Sequence, residues 1–164
     1  MMQDSSLKFT VTRGGRHEEV TVESTGRLAD RQAIAQLNND FCHELDRGTA
    51  EGFVVLFTPD ALYTNGPRIL CGRNQIREFY LGRTRDGLRT SRHLTSGLRI
   101  EFTGDASARG LSACLTFSAP GSPPIESTTP SVVADFEDVY AFDGARWRFA
   151  ERHIRPMFRV SPPR

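Results

Sequence analysis

The sequence predicts an α+β fold: N-terminal helices packed on one face of a strongly curved, mostly antiparallel sheet that encloses a pocket. Three observations lead there. Apolar residues recur at spacings of three and four in the first half of the chain, the stripe of helices laid on a core. After Leu88 the pattern changes to long stretches of strand-forming residues. Turn pairs, Gly104-Asp105 and Asp143-Gly144, join those stretches into hairpins. Helices first and then an antiparallel meander is the order of a layered α+β domain. One sheet face takes the helices, and the face left over is expected to become a subunit contact.

Residues 7–12 and 18–23 alternate at period two around Gly14-Gly15 and read as a hairpin or extended arm. The first strong helix is expected over Leu28–Arg47, with Ile34, Leu37, Phe41 and Leu45 on its apolar stripe and Asn38, Cys42 and Asp46 on the neighbouring row. Gly48 ends it. Thr49 is placed to cap a short helix through Phe53, Val54 and Leu56, which Pro59 stops. Strands are expected at Ala61–Thr64 and Arg68–Cys71, either side of Asn65-Gly66-Pro67. A third helix follows over Arg73–Leu81, with Ile76, Phe79 and Tyr80 on its apolar side. Long strands are expected at Leu88–Thr103, Ala106–Ser118, Val132–Phe142 and Arg146–Met157. The stretch Ala119–Ser131, rich in Pro, Ser and Thr, is a long loop.

A chain of 164 residues holds one domain. We divide it into an arm at 1–25, a domain at 26–158 and a tail at 159–164. Its net charge of +1 argues against nucleic acid or an anionic membrane as partner, both of which select a basic excess. No apolar run approaches the ~20 residues that span a bilayer. The start, Met-Met-Gln-Asp-Ser-Ser, lacks the basic and apolar regions of a secretory signal, so a cytoplasmic protein is expected. Cys42, Cys71 and Cys114 are odd in number and widely spaced, which suggests three buried thiols and neither a disulfide framework nor a metal site.

Two residues could carry chemistry. Asp46, at the end of the first helix, either looks into the space between helix and sheet or is a solvated acid. A negative charge is mildly unfavourable at a helix C-terminus. His93 shares its strand with Leu94, Leu98, Ile100 and Phe102, whose parity puts it on the opposite face unless a bulge near Ser96-Gly97 switches the sides. The bland reading of His93 is a surface or hydrogen-bonded core histidine. His17 falls in the N-terminal turn, His43 on the outer side of the first helix, and His153 among arginines on the last strand. Asp60 is most simply a turn residue. Tyr63, Phe79, Phe117, Phe136 and Tyr140 either line a pocket or are plain core. Asp135, Asp138 and Arg152 either pair across the final sheet or send one group, such as Asp138, into the cavity.

Read in order, Leu45-Asp46-Arg47-Gly48, Leu56-Phe57-Thr58-Pro59-Asp60-Ala61, Gly72…Ile76…Phe79, Arg92-His93-Leu94-Thr95-Ser96 and Tyr140…Asp143-Gly144…Trp147-Arg148…Arg152 resemble the SnoaL-like branch of the nuclear transport factor 2 superfamily. Scytalone dehydratase, hexachlorocyclohexane dehydrochlorinase and ketosteroid isomerase are relatives within it. The resemblance spans about Leu28–Arg155. It implies a cone-shaped α+β barrel, a homodimer joined through the outer sheet face, and a deep pocket for a small hydrophobic molecule. It also implies an acid in the first-helix turn beside a histidine on the first long strand, at positions matching Asp46 and His93. On that pairing the carboxylate fixes the histidine tautomer, and the free ring nitrogen takes a C–H proton in a β-elimination or double-bond migration. Such a scheme needs no cofactor. The second histidine of scytalone dehydratase has no counterpart around Leu115–Ser118. The competing reading is a non-catalytic ligand-binding or assembly module of the same fold.

Overall fold

The computed structural model describes residues 7–13, 16–22, 25–85, 87–126 and 129–160. At the N-terminus β1 (Leu7–Arg13) and β2 (Arg16–Val22) pair as a two-stranded antiparallel ribbon of their own. His17 is on β2, and its side chain lies outside the described residues.

Helix α1 (Thr25–Arg47) begins three residues before the expected start at Leu28. Ile34, Leu37, Phe41 and Leu45 are buried, as the spacing requires, and so are Asn38 and Cys42 on the adjoining row. Both rows therefore face the sheet, and that row carries Asp46 inward one turn beyond Cys42. Arg31 donates to the carbonyl of Ile100 at 2.9 Å and fixes the helix along the first long strand. Helix α2 (Ala50–Val54) has Thr49 at its N-cap, whose hydroxyl accepts from the Gly52 amide at 3.0 Å.

Strand β3 (Phe57–Asn65) starts earlier than expected and contains Pro59 and Asp60. Neither a stop for α2 nor a turn is what these residues make. They lie in the irregular stretch between Phe57 and Leu62, where proline, lacking an N–H, breaks the ladder to β8. β4 (Arg68–Cys71) pairs back on β3, and α3 (Gly72–Arg85) runs one turn longer than its apolar pattern. β5 (Arg89–Gly104), β6 (Ser107–Pro120), β7 (Val132–Phe142) and β8 (Trp147–Arg159) form the meander.

The six-stranded sheet has the order β4-β3-β8-β7-β6-β5, with β3 and β8 parallel and every other pair antiparallel. β4 and β5 are left as edges, so the curved sheet stays open and does not close into a barrel. The β5–β6 register slips between Ser96 and Arg99, at Gly97 with φ +69°. That bulge switches the faces: Leu94 before it points out, 55% exposed, while Leu98, Ile100 and Phe102 beyond it are partly covered.

The core is aromatic. Phe41 of α1 meets Phe53, Phe149, Phe136 and Phe57 at ring-centre distances of 5.3, 5.7, 5.9 and 6.2 Å. Edge and tilted contacts of this kind add ~0.5–1.5 kcal/mol each beyond area burial. Gly110 makes room for one of the rings, since a Cβ there would lie 2.6 Å from the Tyr140 side chain.

Candidate active site

Asp46 and His93 meet. Asp46 Oδ1 lies 2.7 Å from His93 Nδ1, and its Oδ2 accepts the His93 amide at 2.8 Å. Ser91 Oγ donates to Oδ1, also at 2.8 Å. One carboxylate at a helix end is thus fastened to a single strand at three points. Ser91 and His93 reach it together because residues two apart share a strand face. Both side chains are nearly out of water, 4% exposed for Asp46 and 9% for His93.

Burial by itself would push the Asp46 carboxyl up. The donors from the His93 ring, the His93 amide and Ser91 outweigh it and hold the group below its ordinary range. Asp46 is therefore an anion at neutral pH and accepts the Nδ1 proton of His93. The network assigns the Nε2 lone pair as the free one, and Nε2 has no hydrogen-bond partner among the described residues.

His93 stands in the wall between two hollows. The larger, about 1090 Å³, lies between α3 and the inner sheet face, floored by Leu45, Tyr63, Phe79, Val132, Ala134, Phe136 and Ile154. The smaller, about 760 Å³, is bounded by Asn39, Cys42, Asp46, Thr95, Phe117 and Ile125. Both are of ligand size. Among the described residues no cluster of His, Cys, Asp and Glu could hold a metal ion.

The aromatic residues divide. Tyr63, Phe79 and Phe136 line the larger hollow and Phe117 the smaller. Asp138 and Tyr140 line neither, contrary to expectation. Asp138 is directly opposite Arg152 in the β7–β8 register and takes its guanidinium through two bonds of 2.8 and 2.7 Å. Tyr140 donates to Asp138 at 2.8 Å and accepts from Asn38 at 2.9 Å. Arg152 is wholly buried, its Cζ stacked 3.9 and 4.1 Å from the rings of Phe149 and Phe41. A charge taken so far from water persists only when paired, and Asp138 and Tyr140 are used up in pairing it. Burial and the Asp138 charge push the Tyr140 phenol far up, so it stays a donor.

The remaining candidates fall outside the dyad. His43 is exposed at the rim of the smaller hollow, and His153 bonds to Thr64 and Glu151 at 3.0 and 2.9 Å. Asp135 sits opposite Arg155 in the β7–β8 register. Cys42 and Cys114 are buried, while Cys71 is exposed, against the expectation of three buried thiols. The neighbouring Cys114 thiol, with burial, pushes the Cys42 thiol up, and Cys42 in turn draws Cys114 down. Sequence reasoning missed Ser91, although period-two alternation puts it on the face of His93. It also missed Arg83 and Arg89, which reach the larger hollow.

Residues 26–153 match the family described as the SnoaL-like domain. The chain belongs to that family. Among solved structures, this SnoaL-like chain is similar to a single-substitution form of Rv3472, a protein of unknown function from Mycobacterium tuberculosis. The identity is 22% over 82% of this chain and 76% of that one, with a TM-score of 0.70. A candidate scytalone dehydratase from Novosphingobium aromaticivorans superposes with a TM-score of 0.73 at 20% identity, over 84% of this chain and 90% of its own. A type 2 hexachlorocyclohexane dehydrochlorinase gives 0.65 at 18%, over 84% and 96%. Identities this low establish the shared fold. The curated proteins contain no match.

Proposed function

We propose that this SnoaL-like protein is a small lyase or isomerase that removes a C–H proton from a hydrophobic cyclic compound, with His93 as base and Asp46 as its positioning partner. The carrying observation is the 2.7 Å contact between Asp46 Oδ1 and His93 Nδ1 at the wall of a ligand-sized hollow. Nε2 takes the proton, and the C–H electron pair becomes a new carbon–carbon double bond. A leaving group on the neighbouring carbon departs with its own bonding pair, or the double bond migrates and the proton is returned. Asp46 is already ionised and steadies the imidazolium that forms, without a change in its own protonation. A base so placed contributes ~10²–10⁴-fold. The chemistry asks for no metal or organic cofactor. The names of the dehydratase and dehydrochlorinase neighbours are in keeping with elimination, and an open hollow beside the dyad favours an enzyme over a purely structural module.

The same reading takes the protein as a homodimer joined through the outer sheet face. Leu94, Leu115, Val133 and Phe158 stand opposite one another across β5, β6, β7 and β8, an apolar row facing away from the helices.

The base is tested with 5-nitrobenzisoxazole, whose ring opens to a coloured phenolate when its single acidic C–H proton is removed. The wild-type chain should accelerate opening well beyond free imidazole at equal concentration, and His93→Gln should lose ~10²-fold or more while melting within a few degrees of wild type. Undiminished activity in His93→Gln, or a wild type no faster than imidazole, would sink the proposal.

A further inference from the structure

The larger hollow has an apolar floor, but its walls carry an unbalanced charge. Arg68, Arg83, Arg89 and Arg159 all reach it, against one acid, Glu78. Glu78 is turned to its own helix, 3.2 Å from Arg85 and 4.0 Å from Arg77. None of the four arginines forms a salt bridge with a described carboxylate. Arg83 reaches only the carbonyl of Leu45, at 3.4 Å, and Arg89 the hydroxyl of Ser118, at 2.6 Å. Arg68 lies over the Phe79 ring at 4.8 Å.

Arg83 is the telling member. It is half-buried, bonded to the residue that precedes Asp46, and near enough to Arg89 for the two charges to repel. Burial first, then that repulsion, pulls its guanidinium down from its ordinary value. Elsewhere the fold neutralises buried cationic charge directly, as Asp138 does for Arg152. A covered guanidinium beside another, with neutral acceptors only, is costly unless an anion arrives between them. Asp46 is the nearby acid, and both of its oxygens are taken by Ser91 and His93.

We propose that the larger hollow binds an apolar, ring-bearing carboxylate, its anionic group held by Arg83 and Arg89 and its rings lying toward His93. This rests on the function proposed above and names the ligand class of that site. A carboxylate matches the planar fork of a guanidinium. Arg89, Ser91 and His93 alternate onto one face of β5, so base and anion clamp are four residues, or ~13 Å of strand, apart before the reach of the arginine is subtracted. Two or three fused rings bridge that interval, and a hollow of about 1090 Å³ accommodates them.

The test is equilibrium binding of anthracene-2-carboxylate and its neutral match, anthracene-2-carboxamide, to the full chain by fluorescence titration. Charge-assisted bonds worth ~1.5–3 kcal/mol predict a carboxylate ~10- to ~100-fold tighter than the amide. Arg89→Gln and Arg83→Met should each bring that ratio toward one, and Arg109→Gln, on exposed β6 surface, should leave it intact. Arg83→Met should also melt no lower than wild type, because it removes a half-buried charge without a carboxylate partner. Equal binding of both probes, no binding of either, or a preference that survives both substitutions would overturn the proposal. Binding is read without turnover. A failed 5-nitrobenzisoxazole assay with an intact ratio therefore counts against the base alone, and a lost ratio with an intact assay against the anion clamp alone.

Discussion

Asp46 converts a weak position into a strong one. A carboxylate in the last turn of α1 faces the negative end of the helix, yet three donors from Ser91 and His93 make it a buried anion. Its folded value lies below its ordinary one, so the stability it contributes is present at neutral pH and is lost as pH falls through the folded value. Asp46→Asn should cost ~1–3 kcal/mol in urea unfolding above the ordinary carboxylate range. The gap to wild type should close on acidification, when the wild-type carboxyl is protonated as well. A gap that stays constant down to acid denaturation would mean that Asp46 is not the anion described here. The candidate pair is legible in the sequence only as two isolated possibilities: the 3.6-residue row through Asn38, Cys42 and Asp46 aims one member inward, and a strand bulge could aim the other.

At the scale of the element, β5 decides whether there is a site. Its apolar residues, read by strict alternation, put His93 on the wrong side. The bulge at Gly97 reverses parity, so that Leu94 faces out while Ile100 and Phe102 cover the core. Gly97 has φ +69°, a conformation that a side chain makes costly. Gly97→Ala should lose ~1–2 kcal/mol by thermal melting, although no atom of the described residues lies within 4 Å of the added methyl. A neutral result would show that the bulge relaxes and that the parity switch is not held by this glycine. Pro59 teaches the opposite lesson. Its local sequence predicts the end of a helix, but it lies inside β3, where the missing N–H is absorbed by an irregular stretch of the ladder to β8.

For the whole molecule, the curved open sheet has an inner face that is filled at one end by the Arg152 network and left hollow at the other. The first end explains why Asp138 and Tyr140, both suited by type to line a pocket, line neither hollow: a wholly buried guanidinium had to be answered first. The outer face carries the row Leu94, Leu115, Val133 and Phe158, with Phe158 71% exposed. If two copies join there, Leu94→Asp should turn a dimer into a monomer in sedimentation velocity while far-UV circular dichroism stays unchanged. A wild-type chain that sediments as a monomer at high concentration would refute that interface.

The period of the apolar pattern settled what kind of element the long helices and the meander strands form, because 3.6-residue and two-residue repeats bury different faces and cannot be exchanged. It also settled their order, and with the order the layered α+β architecture. Which polar groups meet was decided only by the tertiary structure. Asp46 and His93 are separated by forty-six intervening residues, and Asp138 is committed to Arg152 by register across two strands. Local sequence carries no record of such distances. Buried charges choose their partners from whatever the packed layers bring within reach, and water, which would otherwise hide the choice, is excluded only after the layers close.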